Sequence, residues 1–231
     1  MSQHDEEQIE NIKRFWQDYG TPILVGLTLA ASTFGGWNYW QAKKADDASK
    51  AAVVFQEMLS AAQRSQLNPQ DTAANTDLHR HGRTLKEDFS GTPFARNAAL
   101  LLARQAVDRD DLPEAEKQLR WVIESKPDEA LRVVATTRLA RVLAAQKKPD
   151  EALALLAKEK QPGFEPTVDE VRGDILQSQG KIEDARKAYQ SAWDALNARD
   201  EKHPLLEMKM SDVGLAVPAV KKPLTDGADA S

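Results

Sequence analysis

Between Tyr19 and Ala42 no charged side chain occurs, in a chain of which 29% of residues are Asp, Glu, Lys or Arg. The centre of that window, Pro22 to Trp40, reads PILVGLTLAASTFGGWNYW. As a helix rising about 1.5 Å per residue the window spans roughly 36 Å, enough for a hydrocarbon core of about 30 Å. Trp37, Tyr39 and Trp40 close it, and such rings settle where lipid meets water. The pattern predicts a single transmembrane helix over residues 21–42.

Before the window, Ile9, Ile12, Phe15, Trp16 and Tyr19 recur at three- and four-residue spacing, with Glu6, Glu7, Glu10, Lys13 and Asp18 opposite them. This is the period of an amphipathic helix. It predicts an arm over residues 1–20 lying at the membrane surface and passing into the span after Gly20. A cleaved signal peptide would begin with a basic segment, whereas this one is mostly acidic, and the apolar run continues past Ala30 and Ser32. A soluble helix buried in a core fits poorly a run apolar on every face. Gly26 with Ala30, and Ala31 with Gly35, form small-xxx-small pairs, which permit close packing against a second membrane helix.

After the window the apolar positions keep a helical period. Ala48, Ala52, Phe55, Met58, Leu59 and Ala62 form one stripe, and Asn68-Pro69 ends that helix. A second helix is predicted over 72–89, then a turn in which Thr92 caps a helix opened by Pro93. From there the pattern repeats. LLARQAVDRDDLPEA ends at Ala115, RLARVLAAQKKPDEA at Ala152, and VRGDILQSQGKIEDA at Ala185; the blocks align without a gap. Each places a small residue (Ala103, Ala140, Gly173) before a second alanine (Ala115, Ala152, Ala185) and then a bulky side chain (Leu119, Leu156, Tyr189). Small residues let antiparallel helices approach, and the bulky one fills the groove between them. This is the helix–turn–helix pattern of tetratricopeptide repeats. The third block departs from it at Arg172, and Gln161-Pro162-Gly163-Phe164 shortens the second helix of the second repeat. His203 to Val213 predicts a capping helix that covers the last hairpin with Leu205, Leu206 and Met208 or Met210. The Pro-punctuated segment beyond it predicts disorder.

Composition agrees with an all-α chain: Ala, Leu, Glu, Lys, Arg and Gln dominate, and only 6% of residues are aromatic. The domain map is an arm over 1–20, a span over 21–42, a tetratricopeptide-like domain over 43–213 with its best repeats within 93–200, and a tail over 214–231. A net charge of −5 leaves no footprint for nucleic acid. The chain has no cysteine, and His4, His79, His81 and His203 stand at no metal-ligand spacing. Neither a nucleophile elbow nor a glycine-rich phosphate loop occurs. The expectation is a non-catalytic protein without cofactor or metal, whose business is binding. In a stack of such repeats the first helix of each hairpin lines the concave face. That register points Asn97, Arg104 and Asp108 inward, then Thr137 and Arg141, then Glu170, Asp174 and Gln177. Arg104 and Arg141 are equivalent positions, and a guanidinium pairs bidentately with a carboxylate.

The positive-inside rule leans slightly towards a cytoplasmic C-terminal side, with Lys13 and Arg14 before the span and Lys43, Lys44 and Lys50 after it. Long domains translocate largely regardless of charge, so charge leaves orientation open. EQIENIKRFWQDYG, the apolar span and GGWNYWQ closely resemble the start of the YfgM-type ancillary subunits of the bacterial SecYEG translocon. The likeness continues through RLARVLAAQKKPDEALALL and VRGDILQSQGKIEDARKAYQSAW, fades after Met210, and covers about nine-tenths of the chain. It implies a single-pass inner-membrane protein, N-terminus in the cytoplasm and repeats in the periplasm. It also implies association with the SecYEG translocon, with a membrane-anchored periplasmic chaperone of parvulin-like type, and with exported client proteins as they emerge. Two other readings share the architecture: a scaffold in another envelope process, and a regulator acting through the cytoplasmic arm.

Overall fold

The computed structural model describes residues 3–199 and 201–216. The tail expected to be disordered lies outside the described residues from 217 onward. The chain divides into two units, residues 1–54 and 55–231, and the boundary falls within the first helix, α1 (Gln3–Leu67).

In the first unit α1 continues through both Gly20 and Pro22, so the arm and the uncharged window form one unbroken helix. Gly20 is buried beneath the Trp16 ring, where an added Cβ would lie 2.6 Å from the indole. The Phe15 and Tyr19 rings stack one turn apart at 5.3 Å, whereas the side chains of Ile9 and Ile12 are outside the description. Leu24, Val25, Leu27, Leu29, Phe34, Trp37, Tyr39 and Trp40 are all exposed. Gly26, Ala30, Ala31 and Gly35 are exposed too, and nothing approaches an added Cβ at either glycine. Among the described residues no helix is long and apolar enough to cross a membrane. Apolar character alone therefore does not carry the reading of 21–42 as a span. Freedom from charge is not apolarity: Thr21, Thr28, Ser32, Thr33 and Asn38, with Gly26, Gly35 and Gly36, dilute the aliphatic residues of the window.

The second unit is built of helices, and no strand occurs among the described residues. The last turns of α1 bring Met58 and Ala61 into its core. Then follow α2 (Thr72–Asp88), α3 (Pro93–Asp108), α4 (Leu112–Glu124), α5 (Glu129–Ala145), α6 (Pro149–Ala157), α7 (Glu165–Ser178), α8 (Ile182–Asn197) and α9 (Pro204–Asp212). Three hairpins, α3/α4, α5/α6 and α7/α8, stack in chain order, and α6 is short as its sequence predicts. Asp71, Thr92, Asp111 and Asp128 cap α2 to α5 by accepting from the backbone N–H three residues on, each bond satisfying one of the donors that a helix start leaves open.

The hairpin turns repeat to the atom. Asp110 (φ 61°), Lys147 (φ 66°) and Gly180 (φ 73°) occupy one register position, all left-handed. Each is followed by the same closing bond: Asp111 N to Ala106 O at 2.8 Å, Lys148 N to Leu143 O at 2.9 Å, Lys181 N to Leu176 O at 3.0 Å. This is the helix-ending geometry of a Schellman-type turn. Within each hairpin the small and bulky positions are buried as expected: Ala103 with Ala115 and Leu119, Ala140 with Ala152 and Leu156, Gly173 with Ala185 and Tyr189. A Cβ at Gly173 would meet the Tyr189 ring at 2.4 Å.

That last distance makes a prediction. Gly173→Ala gains about 1 kcal/mol of helix propensity yet forces the α7/α8 pair apart, a cost of roughly 1–3 kcal/mol. Urea unfolding should therefore show a lower midpoint for the variant; a higher one would mean that the ring yields freely.

Candidate functional site

The positions predicted to face inward lie on α3, α5 and α7, the first helices of the hairpins, and the structure divides them into an open half and an occupied half. Between α3 and α5 lies a cavity of about 310 Å³. Its floor and walls are carbon: Leu100, Ala103 and Val107 from α3, Leu112 and Leu119 from α4, Val142 and Ala145 from α5. Arg104, Arg138 and Arg141 also line it. The spacing of the α5 arginines, three residues apart, sets both on one helix face.

Of the residues predicted to face inward, Arg104 and Arg141 thus line one hollow. Arg138 was not among them. Its signal was available in that same three-residue spacing. Asn97 and Asp108 are exposed on α3, with Asp108 Oδ2 3.8 Å from Arg104 Nε. Thr137 does not take part: it is buried, and its hydroxyl donates to the Val133 carbonyl at 2.9 Å. A threonine within a helix readily spends its hydroxyl on the preceding turn in this way.

Glu170, Asp174 and Gln177 come together on α7, and the chain's own groups engage them. Lys209 of α9 donates to Glu170 Oε1 at 2.5 Å and lies 2.8 Å from Asp174 Oδ1. The Tyr189 hydroxyl stands 3.0 Å from Asp174 Oδ1 and 2.8 Å from Gln177 Oε1. Arg141 reaches the other Asp174 oxygen at 3.3 Å. The helix that delivers Lys209 is held by Leu206 and Met210, which are buried, while Leu205 and Met208 face out. His203 caps it by accepting from Leu206 N–H at Nδ1, 3.2 Å away. The predicted cap is therefore also a strap across the acidic part of the concave face, and Lys209 is the residue that sequence reasoning missed. Met208 and Met210 drew the eye instead.

Burial, and then the Asp174 carboxylate, push the Tyr189 pKa well above the usual phenol range. Among the described residues no group of three or more His, Cys, Asp or Glu could hold a metal ion. What the arrangement offers chemically is an apolar hollow with guanidinium groups beside it, joined through Arg141 and Asp174 to a filled acidic site.

Stacked helical hairpins with this small-and-bulky interlock define a tetratricopeptide-like protein, and the family described as tetratricopeptide repeat-like domain matches residues 13–215. Similar proteins include the ancillary SecYEG translocon subunit of Escherichia coli, 31% identical over 89% of this chain and 93% of the relative. The protein of that name from Neisseria gonorrhoeae is 29% identical over 92% of this chain and 100% of its own length, and that of Aggregatibacter actinomycetemcomitans is 27% identical over 90% and 97%. No solved structure matches the chain. The chain belongs to the family of ancillary SecYEG translocon subunits.

The raised Tyr189 pKa carries a pH dependence with a definite sign. A phenol titrates near pH 10 in the unfolded chain, and the folded chain holds its proton more tightly. The stabilisation is thus complete below about pH 10 and is lost as pH rises towards the folded value. Unfolding free energies measured from neutral into alkaline solution should fall above that point, and less steeply in Tyr189→Phe; equal slopes in the two proteins would remove Tyr189 from the account.

Proposed function

We propose that this protein is a non-catalytic, membrane-anchored interaction subunit that serves the SecYEG translocon. The anchor would be the helical segment 21–42, with the arm 1–20 in the cytoplasm and the repeats in the periplasm. There the repeats engage a membrane-anchored chaperone of parvulin-like type and exported chains as they emerge. The observation that carries this reading is a likeness to proteins named ancillary SecYEG translocon subunit that spans apolar helix and repeats together.

Two features of the first unit support a bilayer setting although its mean apolar character is modest. The exposed side chains of the segment include Leu24, Leu27, Leu29, Phe34, Trp37 and Trp40, with Phe34 at 68% exposure. Three of the hydroxyls that dilute the segment bond back to their own helix: Thr28, Ser32 and Thr33 donate at 2.8 Å to the carbonyls of Leu24, Thr28 and Leu29. A hydroxyl satisfied within its own helix adds less to the cost of entering lipid than its side-chain polarity suggests. At the C-terminal edge the Trp37 and Trp40 rings stand 5.5 Å apart and Lys44 Nζ sits 3.9 Å over Trp40, an amphipathic border of the kind found at membrane interfaces. Gly26, Ala30, Ala31 and Gly35 then form the seam against a translocon helix.

Purification of the full-length protein in mild detergent should bring translocon components with it, and replacing Gly26 and Ala30 by Leu should reduce that yield. A reporter placed after Ala216 should be active only when exported. Co-purification unchanged by the leucines would move the docking site elsewhere, and a reporter active only in the cytoplasm would overturn the topology.

A further inference from the structure

We propose that the hollow between α3 and α5 receives a peptide segment of a partner protein in which a bulky apolar side chain is flanked by carboxylates. The inference rests on the reading of the repeats as an interaction surface and names the chemistry that surface selects. Size is the first argument. At about 310 Å³ the hollow is at the lower end of the range for ligand sites, about 300–1,000 Å³, and suits one or two side chains rather than a cofactor. Its carbon walls, with Val107 left 44% exposed, gain from covering by an apolar group.

Charge is the second. Arg104 stands on one wall and Arg138 with Arg141 on the other. Against them the chain sets Asp108, at 3.8 Å from Arg104, and Asp174, which Arg141 shares with Lys209 and Tyr189; among the described residues Arg138 forms no ion pair. Exposed pairs of that length contribute little, so an arriving carboxylate gains a planar two-point partner without dismantling a strong one. The neighbouring acidic site, which would take a basic segment, is already filled by Lys209. The open half of the face keeps a cationic excess, with Arg104, Arg138 and Arg141 against the single exposed carboxylate of Asp108. The guanidiniums are spread over two helices, which matches carboxylates on either side of a buried side chain better than the single headgroup of a lipid.

The test is fluorescence anisotropy on the full-length protein in mild detergent with three labelled peptides. One carries Leu-Phe flanked by Glu on both sides, the second replaces each Glu by Lys, and the third replaces Leu-Phe by Ser. The first should bind at least about tenfold more tightly than the others, and more weakly as salt rises from about 50 to about 300 mM, because screening shortens the reach of surface charges. Arg138→Glu should weaken it by about tenfold or more with helix content and melting temperature unchanged, and Ala145→Trp, which fills the hollow, should abolish it. Equal binding of the Lys peptide, or indifference to Arg138→Glu, overturns the proposal. If the Lys peptide binds and Ala145→Trp still abolishes binding, only the acidic preference falls and the groove reading stands. If no peptide binds and both variants still co-purify with translocon components, the groove reading falls with it. Displacement of the Glu peptide by palmitate more readily than by its unlabelled copy assigns the hollow to a lipid. Binding that emerges only after deletion of 217–231 assigns it to the chain's own end. Either result overturns the proposal.

Discussion

The close approach of paired helices at Ala103, Ala140 and Gly173 is the constraint on which the repeat unit depends. An antiparallel pair can bury a Leu or Tyr between its helices only if the facing position withdraws, and these three positions do so. The tightest case is Gly173, which leaves room for the Tyr189 ring and nothing more. Burying such a ring or a leucine stabilises by roughly 1.5–3 kcal/mol, and one such contact per hairpin recurs through the stack. The left-handed turn at Asp110, Lys147 and Gly180 serves the same end, because it closes the first helix of each hairpin with the same backbone bond.

The same contact reaches the face formed by α5, α7 and α9. With its ring against Gly173, Tyr189 carries its hydroxyl to Asp174 and Gln177, and Asp174 then holds Lys209 of α9 on one side and Arg141 of α5 on the other. A packing solution in the third hairpin thus fixes the strap that closes half of the concave face. What stays open is the hollow of the first two hairpins, carbon at its base with arginine on both walls. On the reading proposed for the repeats, recognition follows from where the internal ion pairs end.

Much of the repeat unit was legible because its signals are local and periodic. The Asn68-Pro69 break, the Thr92–Pro93 start, the short α6 and the α9 cap are each written in a few adjacent residues. The alignment of the three blocks named the interlocking positions in advance. Other features depend on what a residue meets across the fold. Thr137 lay in the right register but turned its hydroxyl to its own helix. Glu170, Asp174 and Gln177 also lay in register, yet nothing near them in sequence announces Lys209 or the Tyr189 hydroxyl. In the first unit, Gly20 and Pro22 are carried within one helix. The uncharged window, for its part, proved less apolar than its lack of charge suggested. Hydroxyl groups that bond back to the carbonyls one turn earlier in their helix belong to a class that residue-by-residue scoring does not register.

A subunit of the kind proposed acts by what it holds and where. Here a segment suited to a bilayer edge is joined in one chain to a repeat stack with half of its concave face open, in a family named for attachment to a translocon. The chain lacks cysteine and its hairpins are rigidly interlocked, so a probe can be set at a chosen point without disturbing the rest. The most direct measurement is site-specific photocrosslinking in cells, with the photoreactive residue at Val107 in the hollow or at Lys117 on the opposite, outward helix. The account predicts adducts with translocon components or their periplasmic associates from Val107 and none from Lys117; adducts from Lys117 alone would contradict it.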